Sequence, residues 1–239
     1  MSDVQLICGD CLSVLPTLAD KSFDAIITDL PYGTTACKWD VIIPFEPMWK
    51  EVKRLCKGAF VTTASQPFTS LLVCSNLEWF KYTWEWDKSI SGNPLLAEHQ
   101  PLKVHEDIAV FCQNGHVYNP QKRRGKLRKK GGGYSKIWDV ALTSKLSNEY
   151  YPTSVLEFSN ADRDVDHPTQ KPVALYEYLI LTYTNPGDTV LDFCAGSGTT
   201  GVAAIKTGRN VVLIERDPDY FAIAEKSIRE AQQQMVMPL

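Results

Sequence analysis

Two short stretches of this 239-residue chain carry residue types that could do chemistry together. The first is Asp29-Leu30-Pro31-Tyr32, reached directly from the apolar run Phe23-Asp24-Ala25-Ile26-Ile27-Thr28. A buried strand that ends in a carboxylate, a proline-stiffened turn and an aromatic ring sets its functional groups at a strand end, where open α/β sheets bind ligands. These groups suit the activation of a poor amine nucleophile. An amine on an aromatic ring, such as the exocyclic amine of adenine, has its lone pair delocalised into the ring. A carboxylate and a backbone carbonyl that accept its two N–H bonds favour a more tetrahedral nitrogen and free that lone pair for attack. The Tyr32 ring would stack on the base, as aromatic side chains do on bases taken out of a duplex. The plainer reading of the same residues is a strand-ending turn with a buried tyrosine.

The second stretch, Asp192-Phe193-Cys194-Ala195-Gly196-Ser197-Gly198-Thr199-Thr200-Gly201, falls between an expected strand and an expected helix. Glycines permit positive φ and let a ligand approach the backbone, and a helix start offers unpaired amide donors. Glu215 follows at the tip of the next strand, where a carboxylate can grip two ribose hydroxyls. Gly196, Gly198 and Gly201 satisfy G-x-G-x-x-G, which raises a dinucleotide fold. Position argues against a nicotinamide cofactor: only one helix fits between Glu215 and Leu239, whereas a dehydrogenase needs further strand–helix units. The missing strands must come from the amino-terminal section. The chain order is then permuted, with the cofactor half last, and S-adenosylmethionine becomes the favoured cofactor.

The elements that must position these groups alternate in type. Val4–Cys8, Phe23–Thr28, Ala59–Thr63, Tyr82–Trp86 and Ile108–Phe111 read as strands; Leu12–Leu18, Phe45–Leu55 and Pro67–Ser75 read as helices. Repeated strand–helix units imply a mostly parallel sheet with helices on both faces. Periodicity fades from Gln113 to Asp166, a span too long for an ordinary connection and read as a functional insertion. Regular patterning resumes with a helix over Val173–Tyr183, a strand over Thr189–Asp192, a helix over Thr199–Thr207, a strand over Val211–Ile214 and a closing helix over Tyr220–Gln234.

With 44% hydrophobic and 22% charged residues, the composition is that of a soluble globular protein. Neither a secretory signal nor an apolar run of membrane-spanning length is evident, so the expected location is the cytoplasm. Seven scattered cysteines suit a reducing compartment. Cys8 and Cys11 form a C-x-x-C without a second ligand pair and are read as buried thiols. The net charge of −3 hides an asymmetry, because Lys122, Arg123, Arg124, Lys126, Arg128, Lys129 and Lys130 cluster on an otherwise acidic chain. One basic strip on an acidic body is the footprint of a nucleic-acid partner. A solvated, mobile loop, favoured by Gly131-Gly132-Gly133, is compatible with it, since such loops can order on binding.

Asp29-Leu30-Pro31-Tyr32 resembles the D-P-P-Y catalytic motif of amino-methyltransferases acting on DNA, and the glycine turn resembles their cofactor motif, usually F-x-G-x-G. Catalytic motif first and cofactor motif last is the order of the permuted group called the β class. His167-Pro168-Thr169-Gln170-Lys171-Pro172 matches a phrase common there, and Gly9-Asp10 is similar to the early strand-end pair whose aspartate approaches the cofactor adenine. The resemblance covers about Val4–Phe111 and His167–Glu230. Leu30 replaces the usual first proline, which reduces turn rigidity, and Cys194 replaces the usual phenylalanine, a smaller packing contact.

The resemblance implies a circularly permuted Rossmann-like α/β fold, dependent on S-adenosylmethionine. Residues 1–112 would be its catalytic half, 113–166 a target-recognition insertion and 167–239 its cofactor half. Asp29 and the carbonyls of Leu30 and Pro31 would orient the amine, with Tyr32 on the base. Asp10, Asp29, Asp192, Cys194, Ala195, Gly196, Ser197, Gly198, Thr199 and Glu215 would surround the cofactor. Thr169 and Lys171 either bind its methionine carboxylate or cap the helix near Val173, and the other motifs favour the cofactor. The basic strip would contact the phosphates of double-stranded DNA. No metal is required, and dimers are frequent in the group. Trp39 either closes over the extruded base or packs beneath its own loop. His105-Glu106 is read as a structural polar pair ahead of the Ile108–Phe111 strand. Motifs that open with Asp usually go with adenine; the alternatives are the cytosine exocyclic amine, an RNA or small-molecule acceptor, and a non-catalytic DNA-binding module. Attack at a cytosine ring carbon would need a cysteine nucleophile, typically after proline, and no Pro-Cys pair occurs.

Overall fold

The structure is a computed structural model that describes residues 2–35, 37, 39–141, 143–160 and 171–236. The amino-terminal section forms β1 (Val4–Cys8), the single helical turn α1 (Cys11–Val14) and β2 (Phe23–Asp29). The Asp10 carboxylate caps α1 by accepting the Leu12 amide at 3.0 Å. α1 is shorter than the expected Leu12–Leu18 because Pro16 offers no N–H to the carbonyl of Leu12; only a 3-10 turn over Leu15–Thr17 continues it.

Then follow α2 (Phe45–Leu55), β3 (Cys56–Ala64), α3 (Phe68–Ser75), β4 (Phe80–Gly92) and β5 (Lys103–Phe111). α2 buries Met48, Trp49, Val52 and Leu55, one stripe of a helical period. β3, β4 and β5 all run beyond the expected segments: in β4 and β5 backbone pairing continues where side chains have left the core, whereas β3 adds the buried Cys56 and Ala64 at its ends.

Residues Pro120–Thr153 form a compact unit of their own. In it β6 (Arg123–Lys130) pairs antiparallel with β9 (Lys145–Tyr150), and the two-residue strands β7 (Tyr134–Ser135) and β8 (Val140–Ala141) pair with each other. The basic strip, expected as a loop, is therefore largely a strand. Its like charges are accommodated across the ladder: Lys130 Nζ lies 3.3 Å from the Tyr150 ring centroid, and Lys122 Nζ lies 3.1 Å from Glu149. Cation–π and ion-pair contacts of this kind offset the weak strand propensity of a Lys/Arg run.

The remaining elements, β10 (Val155–Glu157), α4 (Val173–Tyr183), β11 (Thr189–Asp192), α5 (Thr199–Thr207), β12 (Asn210–Glu215) and α6 (Pro218–Val236), return to the first unit. One eight-stranded sheet runs in the order β1-β12-β11-β2-β3-β5-β4-β10. All neighbours are parallel except at β5, which is antiparallel to both β3 and β4. The carboxyl-terminal strands thus slot between β1 and β2, the permuted arrangement expected. α4, α5 and α6 pack on one face with Ala25, Ile27 and Val61, and α1, α2 and α3 on the other with Ile26, Phe60 and Leu191. This alternation is the period-2 signature of a sheet buried on both sides.

Parallel strands bring their carboxyl ends to one edge. Gly9-Asp10, Glu215, Asp192, Asp29 and Ala64 all emerge there, and β5, running the other way, begins there. Among the described residues no helix is long and apolar enough to cross a membrane.

Candidate active site

A cavity of about 960 Å³ opens at this edge and is lined by both chemically suggestive stretches, Asp29 to Tyr32 and Asp192 to Ser197. Asp10, Lys171, Thr199 and Glu215 line it as well. Gly198 is not a lining residue, and Thr169 lies outside the described residues.

On the β2 side, Asp29 is a shared acceptor. Its Oδ1 receives the Tyr32 hydroxyl at 2.9 Å and also the Thr63 hydroxyl from β3. Its Oδ2 receives Lys171 Nζ at 2.6 Å. Lys171, foreseen at the cofactor or as a helix cap, makes no cap: Pro172 occupies that position without a side-chain bond. Glu106, foreseen as a structural residue, faces the same cluster. Its Oε2 lies 3.2 Å from the Tyr32 hydroxyl and 3.7 Å from Lys171 Nζ, and its Oε1 lies 3.1 Å from Lys88 Nζ. Burial acts to discharge Lys171, but the Asp29 and Glu106 carboxylates outweigh it and raise the ammonium above its ordinary pKa. Burial likewise pushes Glu106 upward, and Lys171 and Lys88 outweigh it, so the carboxylate is held below its usual range. Tyr32 is pushed far up by burial and then by the two carboxylates, and it stays a proton donor.

The Tyr32 ring stacks on Phe68 at 5.5 Å between centroids and 25° between planes. Lys171 Nζ also lies over this ring, 5.4 Å from its centroid, so a base that stacks on Tyr32 would meet the ammonium there. Leu30, which replaces the usual proline, is buried among the side chains of the α2–α3 face. Gly33 to Thr35 are tied by a residue that sequence reasoning passed over: Asp40 accepts the amides of Gly33, Thr34 and Thr35 at 2.8, 2.9 and 2.7 Å, and the Thr35 hydroxyl at 2.7 Å. Burial opposes its charge, but these donors win and its pKa is lowered. Trp39 lines the cavity, and its carbonyl accepts Arg216 Nη2 at 3.2 Å.

On the β11 side, Asp192 is buried with both oxygens engaged. Oδ1 accepts the Thr28 hydroxyl at 2.6 Å and the Cys194 amide at 3.0 Å, and Oδ2 accepts the Thr200 hydroxyl at 2.5 Å. Burial outweighs these bonds and pushes its carboxyl up to about 6. Glu215 accepts the Gly196 amide at 2.7 Å on one oxygen and the Asp217 amide at 2.8 Å on the other. Burial raises its pKa. Gly196 (φ +52°) faces open space, while a Cβ on Gly198 (φ +84°) would meet Ala224 at 3.0 Å. α5 begins without a side-chain cap, leaving its first amides to the cavity. Cys11 is buried and Cys8 exposed, so the buried-thiol expectation fails for Cys8, whose strand β1 lies at the sheet edge.

The seven basic residues fall in the Pro120–Thr153 unit. Among the described residues one group, Glu85, His105 and Asp107, brings metal-ligating atoms within 4.8 Å of one another; Asp107 already accepts the Thr69 hydroxyl.

A permuted α/β sheet with an acidic-aromatic strand end beside a glycine turn defines a methyltransferase-type site. A family model described as DNA methylase, of the N6/N4 kind, matches residues 23–226, and the chain belongs to this family. It is 30% identical over 236 residues to the DNA adenine methyltransferase YhdJ of Escherichia coli K12, covering 90% of this chain and 79% of that protein. The crystal structure of the M1.HpyAVI–SAM complex superposes with a TM-score of 0.65 at 26% identity, covering 93% and 98% of the two chains. The cytosine-N4-specific PvuII DNA methyltransferase superposes at 0.70 with 16% identity, covering 99% and 93%, a likeness of fold.

Proposed function

We propose that this chain transfers a methyl group from S-adenosylmethionine to the exocyclic amine of adenine in DNA. The observation that carries the reading is the shared cavity, where the Asp29–Tyr32 turn and the glycine turn line one space. The residues fit the cofactor: Gly196 leaves its Cα open to the cavity, the α5 start supplies amide donors, and Asp10 and Glu215 supply carboxylates at adjacent strand ends. When bound, S-adenosylmethionine supplies an electrophilic methyl group on a sulfonium. The chain's own part is positioning. Asp29 and the carbonyls of Leu30 and Pro31 accept the amine's N–H bonds, and the Tyr32 ring stacks on the base.

The Pro120–Thr153 unit, within the 113–166 insertion, is proposed to meet double-stranded DNA through Lys122, Arg123, Arg124, Lys126, Arg128, Lys129 and Lys130. Adenine is preferred over cytosine because the motif opens with Asp29 and because YhdJ, the 30%-identical relative, is named as an adenine enzyme. The test is labelled-methyl transfer to unmethylated DNA, with mass analysis of the product nucleosides. N6-methyl-2′-deoxyadenosine is expected and N4-methyl-2′-deoxycytidine would correct the base. Asp29→Ala should abolish transfer while cofactor binding persists; full transfer by that variant would refute the assignment.

A further inference from the structure

In the cluster around Asp29 one hydroxyl proton and one ammonium are shared between two carboxylates. Tyr32 Oη lies 2.9 Å from Asp29 Oδ1 and 3.2 Å from Glu106 Oε2. A phenol carries one proton, so it donates to only one of them at a time. Lys171 Nζ lies 2.6 Å from Asp29 Oδ2 and 3.7 Å from Glu106 Oε2. With the Thr63 hydroxyl also on Asp29, three donors already stand on the group that the proposed reaction needs as an acceptor. A carboxylate has about four lone-pair positions. That leaves one position for a target amine's N–H, and the three donors already draw on the negative charge that would polarise it, so each donor shed makes Asp29 the stronger acceptor.

Glu106 is placed to take up the donors that Asp29 gives up. Lys88 holds its Oε1 at 3.1 Å, which turns Oε2 toward Tyr32 and Lys171. The side chains are largely withdrawn from water, at 10% exposure for Lys171 and 15% for Glu106, so an unpaired charge there would be costly. Two carboxylates and two ammoniums balance, and Lys171 can lean from one carboxylate to the other without changing the net charge.

We propose that Glu106 is a positioning residue of the transfer: it takes the Tyr32 hydroxyl and the Lys171 ammonium as the target amine arrives, and so leaves Asp29 free to accept the amine's N–H bonds. This rests on the function proposed above. Glu106→Gln keeps the shape and can still accept from Tyr32, but it cannot balance Lys171, which then stays on Asp29.

The test is steady-state and single-turnover methyl transfer with wild type, Glu106→Gln, Glu106→Asp, Lys171→Met and the double variant Glu106→Gln/Lys171→Met, with thermal melts of each. Glu106→Gln is expected to lower turnover by about 10- to 100-fold, the scale of a mispositioned reacting group. Its KM for DNA and its cofactor affinity should stay within about twofold of wild type. Glu106→Asp, which keeps the charge, should recover part of the loss. The double variant should lose less than the product of the single losses, because the ammonium that Glu106→Gln strands on Asp29 is gone. Turnover of Glu106→Gln within about twofold of wild type, or a loss confined to KM, overturns the inference while an active wild type keeps the functional reading. If Glu106→Gln does not fold, Glu106→Asp carries the test: lowered turnover at unchanged KM supports the proposal and wild-type turnover overturns it. A wild-type protein inactive on every DNA offered overturns the functional reading, and this inference with it.

Discussion

Replacing Asp192 by Asn should stabilise the protein at neutral pH. The carboxyl is buried and titrates near 6 in the folded chain, against about 4 when unfolded. Between those values the folded chain holds a proton that the unfolded chain has released. The stability this group contributes is therefore full below pH 4 and lost as the pH rises through 6. Two units at 1.36 kcal/mol each put the loss at about 3 kcal/mol. Asparagine is the neutral isostere. Its Oδ1 can keep the bonds from Thr28 and the Cys194 amide, and its Nδ2 can donate to the Thr200 hydroxyl that now donates to Oδ2. Urea unfolding of both proteins across pH 4.5 to 8 isolates the effect, because every other carboxylate cancels in the difference. The variant should gain roughly 2–3 kcal/mol at pH 7.5 and only about 1 kcal/mol at pH 4.5. A stability gap independent of pH, or a less stable variant at pH 7.5, would refute the argument that burial dominates at this position.

Asp40→Ala removes four hydrogen bonds to one buried carboxylate, so the Gly33–Asp40 loop should open more easily by about 3 kcal/mol. Protease cleavage within the loop should accelerate at nearly unchanged Tm. Gly201→Val puts a Cβ 2.7 Å from Leu213 Cδ1 and 3.2 Å from Ile228 Cγ1, and overpacking between α5, β12 and α6 should cost about 1–3 kcal/mol in urea unfolding. Changing Lys126, Arg128 and Lys129 together to Gln should weaken DNA binding evenly across sequences and reduce the slope of log K against log salt by about 3; an unchanged slope would take the strip out of the interface.

The sheet could be read largely from alternation of strand and helix patterns, and the permutation from the glycine turn's place near the carboxyl end. Asp29 and Glu215 were legible because each closes an apolar strand, so its position at the ligand edge follows from parallel topology. Glu106 was not. It lies near the beginning of β5, and a strand's direction leaves no mark on its side-chain pattern; only the antiparallel pairing with β3 turns that beginning toward the site. The informative signal is the mostly polar lead Lys103–Asp107 into an apolar strand. β6 was hidden differently, because six like charges mask a strand whose partner, with Glu149 and Tyr150, lies beyond three glycines. The shortening of α1 was available in advance from Pro16.

The two halves of the chain meet along β2 and β11, where Val190 pairs with Ala25 and Leu191 with Ile26. Just beyond this seam, the Thr28 hydroxyl donates to Asp192 Oδ1 at 2.6 Å, one residue before Asp29. The same carboxylate holds the Cys194 amide and the Thr200 hydroxyl. The turn proposed for the donor and the strand end proposed for the acceptor therefore share an anchor inside the sheet. A displacement of either that is large enough to misalign a methyl transfer must break a buried hydrogen bond or strand pairing first. That gives the burial of Asp192 a physical purpose. Its side chain bridges the two halves, tying β2 through the Thr28 hydroxyl on Oδ1 and the α5 start through the Thr200 hydroxyl on Oδ2.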